Sequence, residues 1–351
     1  MKTCTLRCQI LSPLHIGTGS ELSPLDYIIK NSTLYVISFG RLVNMLNEKD
    51  RDSLEKIIDT GDLIKLRSFV SNIKNIQEYS LYAVEVKEDI KLAYNKNINN
   101  IQNQLLIQPF IKTEGGTKLL IPGSSLKGAL RTAVINKIAL ELKVKRPQSP
   151  REEYEFEKTV LGYKDAKSDP FRGVKVRDKT LPDNSTIVRE VKNVYRSNKT
   201  KALTSKSMQL YHEVTHSAIT GKTVEFDTEI IFETDLFDKK YLSMSLEING
   251  IRDSCMKFYK SKFDLEHENF YKGTEVEPVS DVLRNTTFDD ASFVIRVGRF
   301  SGVESVTIDE YRSPRPPRGR IWGTTRNLAD GLYPMGWVKC TILNRECLNK
   351  A

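Results

Sequence analysis

Residues 121–131, Ile-Pro-Gly-Ser-Ser-Leu-Lys-Gly-Ala-Leu-Arg, have the make-up of a helix start aimed at an anion. Pro122 presets a turn, Gly123 lets the backbone pass close to a ligand, and Ser124 or Ser125 can cap the first turn. Free amides and the helix dipole at that end suit a phosphate. Lys127 and Arg131 are four apart and stack on one side, which adds two cations. The pattern is not a P-loop, because the Lys precedes the Gly and no Ser or Thr follows it. The plainer reading is an amphipathic helix with exposed cations, its core side formed by Leu126, Leu130, Ala133 and Leu140.

His15 precedes Gly17 and Gly19 in a loop. An imidazole there can shuttle protons in metal-independent RNA cleavage by the ribose 2′-hydroxyl, or simply hydrogen-bond its loop or a phosphate. Asp26 is a candidate acid whose simpler role is in a turn. Gly298 and Gly302 flank Arg299, a phosphate partner, and Phe300, a face on which a base can stack or a piece of core. His212-Glu213-Val214-Thr215-His216 spells the HExxH of zinc proteases. That chemistry needs a helix, and here Leu210 to Ala218 alternate as a strand does, which sets the two imidazoles roughly 13 Å apart. No zinc site and no cofactor are expected.

The elements that must hold these residues follow from periodicity. Residues 3–11 alternate as a half-buried strand, and a hairpin over 25–38 turns at Asn31-Ser32. Residues 39–78 read as a helical insertion. Strands are expected over 80–86, 105–112, 208–219, 223–233, 291–297 and 337–343, with helices over 123–143 and 251–263. The stretch 145–206 is Pro-punctuated, basic and weakly periodic, so it reads as a long loop or insertion. The expected division is 1–144, 145–206 and 207–351, in an α+β chain.

The 351 residues are 39% hydrophobic and 28% charged, with a net charge of +9, and no apolar run is long enough for a membrane helix. The basic balance is the footprint of a nucleic-acid binder. Residues 164–206 hold 12 Lys/Arg against 5 Asp/Glu, and 311–326 hold Arg312, Arg315, Arg318, Arg320 and Arg326 without an acid. Five cysteines without a paired CxxC suggest reduced thiols and a cytoplasmic protein.

The pieces 12–19, 121–131 and 298–302, in this order, resemble the RAMP superfamily of CRISPR-associated proteins. The ending Thr325-Arg326-Asn327-Leu328 and Pro334-Met335-Gly336-Trp337-Val338 narrows the resemblance to the fifth-subunit family of type III-A (Csm) effector complexes. The glycine loop departs from that family's richer pattern, with Val303-Glu304-Ser305 after Gly302. The resemblance implies tandem ferredoxin-like (RRM-like) domains with helical and loop insertions, and CRISPR RNA with other Csm-complex RAMP subunits as partners. It also implies a non-catalytic role near the RNA 3′ end, where maturation is carried out by recruited nucleases. The alternative is an endoribonuclease using His15. The expected RNA-binding set is His15, Gly17, Gly19, Gly123, Ser124, Ser125, Lys127, Arg131, Arg299 and Phe300, all lining one groove.

Overall fold

Cys4, Leu6, Cys8 and Ile10 are buried on one face of the strand Lys2–Ile10, as their alternation requires. That strand is the middle of a five-stranded antiparallel sheet in a computed structural model that describes residues 1–113, 115–197, 200, 202–205, 210–238, 241–311 and 323–348. It pairs on one side with Val224–Phe232, from Lys2 opposite Phe232 to Ile10 opposite Val224. On the other side it pairs with Trp337–Ile342, with Ile10 opposite Val338. Val174–Val176 and Ser292–Arg296 form the edges. The long helix Gly123–Glu141 and the helical run from Ile248 to Tyr271 cover one face. Leu126, Leu130 and Ala133 of the first pack with Ile251, Cys255 and Tyr259 of the second in the main core.

This sheet joins strands from both ends of the chain. The expected division at 144 and 206 therefore does not separate two sheets, because pairing over more than 200 residues leaves no trace in local periodicity. The same closure brings the turn Arg345–Leu348 back against the first strand, where Cys347 is joined to Cys4 in a disulfide. The expectation of five reduced thiols is corrected for these two. Cys8, Cys255 and Cys340 are free and buried.

A nine-stranded second sheet is built around Thr186–Arg196. This strand pairs antiparallel with Leu210–Thr215 and Thr325–Ala329, and in parallel with Ser80–Val86. It lies inside the segment expected to be a loop, as does the helix Pro150–Leu161, which is capped by Ser149 and stopped by Gly162. Arg189, Lys192 and Arg196 interrupt the apolar pattern and hid Ile187, Val188, Val191 and Val194, which are buried. The helical insertion is present as Phe39–Met45, Glu48–Thr60, Leu63–Ser71 and Ile76–Tyr79. The Arg/Pro segment 312–320 lies outside the described residues.

Candidate nucleic-acid interface

A groove of about 590 Å³ runs between the N-terminal loop, the start of the helix Gly123–Glu141 and the turn after Ser292–Arg296. Backbone pairing fixes its walls. The Ile111 amide donates to the Ile16 carbonyl at 2.7 Å and the Leu22 amide to that of Ile107 at 2.8 Å, so the glycine loop is stitched to residues 107–111. The Arg299 amide donates to the His15 carbonyl at 3.0 Å, which docks the turn on the loop. Gly298 makes that approach with φ +90°, and a Cβ there would lie 2.5 Å from the His15 oxygen. Gly298→Val is expected to cost on the order of 1–3 kcal/mol, read as a lowered midpoint in urea unfolding. An unchanged midpoint would show that the turn does not need this approach.

Gly17, Gly19, Ser124, Ser125 and Arg299 line the groove together, so three motifs spread over almost 300 residues of sequence do meet. The rest of the expected set does not line it. Lys127, three residues on, lies about 60° round the axis from Ser124, and Arg131 is turned to acids on that side. There Arg131 donates to Asp169 at 2.9 and 3.0 Å, to Glu157 at 2.9 Å and to the Tyr163 hydroxyl at 3.1 Å. Burial holds the Lys127 ammonium below its usual range, with Asp169 acting against that. Gly123 donates its amide to Asp178 Oδ1 at 2.7 Å, so a carboxylate of the chain already holds that helix amide. The residues the spacing could have found, and that went unread, are Gly128 and Thr132. With Ser124 they make a stripe of small side chains at i, i+4 and i+8 along the groove.

His15 and Phe300 do not line the groove either. His15 is 1% exposed and Phe300 8% exposed. Phe300 packs with Ile187, Val191 and Val214, and its ring centroid lies 4.8 Å from that of His212. The His15 and His212 rings meet edge to face at 4.8 Å. His15 Nδ1 lies 2.8 Å from the Glu213 carbonyl, which can only accept, so Nδ1 carries the hydrogen and Nε2 is the bare nitrogen. Burial lowers the His15 pKa to about 4 and that of His212 to about 3. Neither imidazole is charged near neutrality.

The HExxH residues His212 to Thr215 lie in the strand Leu210–Thr215, as their alternation predicts. Glu213 is a buried anchor. It accepts from the Phe110 amide at 2.9 Å, Lys112 Nζ at 2.7 Å and Thr186 Oγ1 at 2.8 Å. Among the described residues no group of three or more His, Cys, Asp or Glu is placed to hold a metal ion. Asp26 accepts from the Ser23 amide and hydroxyl at 2.8 and 2.7 Å and is a turn residue. Much of the 164–206 charge serves the fold: Arg189 pairs with Asp330, Arg177 with Glu229, and Arg196 donates to the Lys272 carbonyl.

The model of the RAMP superfamily matches residues 7–274. The chain belongs to the RAMP superfamily. The matched stretch contains the N-terminal loop and the helix start but ends before Gly298, so the third motif joins the other two only in space. Among curated relatives, "CRISPR system Cms protein Csm5" of Methanocaldococcus jannaschii is 34% identical over 140 residues, covering 38% of this chain and 30% of that protein. The protein of the same name from Streptococcus thermophilus is 26% identical over 231 residues, covering 60% of each chain. The matched stretches thus span 30% and 60% of these relatives' lengths. Two solved structures share the RAMP fold seen here. One is a chain of a cryo-EM Csm–crRNA–target RNA ternary complex of a type III-A CRISPR-Cas system, with TM-score 0.63, 22% identity, and coverage of 96% of this chain and 99% of that one. The other is the crystal structure of T. onnurineus Csm5, with TM-score 0.59, 21% identity, and coverage of 95% and 99%.

Proposed function

We propose that this RAMP protein is a non-catalytic, CRISPR RNA-binding subunit of a type III-A Csm complex. It caps the assembly near the RNA 3′ end, beside other Csm RAMP subunits, and supports 3′-end maturation by recruited nucleases in a cytoplasmic antiviral defence. The observation that carries this reading is the groove, where two glycine-bearing turns, a serine-lined helix start and Arg299 converge. Flexible backbone and hydroxyls can follow a sugar-phosphate strand closely, and Arg299 supplies exposed charge. The similarity to Csm5 proteins supplies the complex. We also read the order Lys2–Ile10, helix, Val174–Val176, Val224–Phe232, helix, Trp337–Ile342 as one β-α-β-β-α-β ferredoxin-like unit threaded through the whole chain. The nine-stranded sheet, six of whose strands precede residue 207, is then not the second such domain expected over 207–351.

The test is a native and a denaturing gel of the purified chain with end-labelled CRISPR RNA in EDTA. A retarded, uncut band is expected. Affinity should fall with salt by about 0.7 log unit per log unit of salt for each phosphate neutralised. Arg299→Ala should flatten that slope by about one such step. Affinity independent of salt would overturn the groove reading, and RNA shortened in EDTA would overturn the non-catalytic one.

A further inference from the structure

A second cleft, of about 580 Å³, adjoins the groove beyond Arg299 and is of different character. Its apolar lining comes from Leu105, Leu106, Leu210 and Tyr211. Its rim is carboxamide and carboxylate: Gln102, Gln104, Gln108 and Glu21. Among the described residues no Lys or Arg lines it. Apolar walls with a few convergent donors and acceptors suit a flat, neutral heterocycle.

The rim is held in place. Buried Arg67 donates from Nη1 to the carbonyls of Asn100 and Asn103 at 3.2 and 3.3 Å, and the Tyr27 hydroxyl to that of Leu105 at 2.6 Å. Reciprocal backbone bonds between Leu22 and Ile107, at 2.8 and 3.0 Å, set Glu21 beside Gln108. A polar chain then links the two cavities. Arg299 Nη1 donates to Gln108 Oε1 at 3.4 Å, and Gln108 Nε2 donates to Glu21 Oε1. This orients the Gln108 amide and leaves the carboxylate of Glu21, which lines the cleft, with a second oxygen that can accept.

We propose that this cleft receives one base of a single-stranded RNA whose backbone passes Arg299, and that Glu21 selects a base bearing an exocyclic amine, cytosine over uracil. The inference rests on the RNA-binding reading of the groove. A carboxylate only accepts hydrogen bonds. The N4 amine of cytosine donates to it, whereas the O4 of uracil meets it acceptor to acceptor. Gln102 and Gln104 offer further amide edges, and the Tyr211 ring gives an apolar wall.

The experiment is fluorescence anisotropy of the full chain with 12-nucleotide oligocytidine and oligouridine at fixed salt. Oligocytidine should bind about tenfold more tightly. Glu21 is exposed, so Glu21→Ala should fold normally and bring the two affinities together. Raising salt should weaken both ligands alike and keep their ratio. Equal affinities for the native chain, or a preference that survives Glu21→Ala, would overturn this inference and leave the RNA reading standing. Binding of neither oligonucleotide would overturn both.

Discussion

Glu266→Ala is expected to cost the fold on the order of 3–5 kcal/mol, the toll of breaking a buried ion pair by removing one partner. Glu266 is buried at the end of the helix Ser261–Glu266, and its carboxylate faces two buried guanidinium groups. Arg296 donates to it at 2.7 Å and also donates to the Met335 carbonyl at 2.9 Å. Arg326 Nε lies 2.6 Å from the same oxygen, with its N–H angled away, so that contact is Coulombic rather than a hydrogen bond. Arg326 also donates to Glu304 at 3.0 Å and to the Gly323 carbonyl at 2.6 Å. Without Glu266, and among the described residues, Arg296 keeps a backbone partner but no counter-charge, and Arg326 keeps one acid where it had two. Urea unfolding measures the loss, and a change below about 1 kcal/mol would show that the cations find other solvation. Glu266→Gln, which still accepts hydrogen bonds, should fall between. Because Arg296 precedes the turn 298–302 and Glu304 follows it, the variant should also weaken RNA binding at the groove.

That network marks where sequence reading stops. Arg326 is 5% exposed, although it closes a run of five arginines with no acid among them. Its acids come from 60 and 22 residues up the chain, beyond any window in which charge clustering has meaning. The same holds for Arg131, whose partners Glu157 and Asp169 lie 26 and 38 residues on. Cations are poor markers because a partner brought in by tertiary structure removes them from the surface. Glycines and serines were better ones. Their value lies in close backbone approach, which the fold keeps, so Gly17, Ser124, Ser125 and the turn at Gly298 proved adjacent. Local elements followed the same logic. The alternation of Lys2–Ile10 and Val224–Phe232 and the spacing of Gly123–Glu141 are set by nearest neighbours and were legible. The strand Thr186–Arg196 is paired with segments from 80–86, 203–205, 210–215 and 325–329, and its own residues do not announce them.

Acidification from pH 6 to pH 4 is expected to strip stability from His15 and His212 together at up to about 2.7 kcal/mol per pH unit, each contributing at most about 1.36. Both imidazoles titrate near 6.5 in the unfolded chain. In the fold, burial keeps them neutral until about pH 4 for His15 and about 3 for His212. Between those limits the unfolded chain binds more protons. The contribution is therefore full above about pH 6.5 and is lost as pH falls through the folded values. Denaturant midpoints across this range measure the slope. His15→Asn is the discriminating variant, since its side-chain amide can still donate to the Glu213 carbonyl while nothing at that position titrates. It should remove about half of the acid slope and leave stability near pH 8 much less affected. An unchanged slope would assign the acid lability to carboxylates instead. The physics bears on chemistry too. A general base must be reachable and have a pKa near the working pH. The environment that makes His15 acid-sensitive keeps its Nε2 buried beneath Gly17, where a Cβ would already crowd it at 2.8 Å.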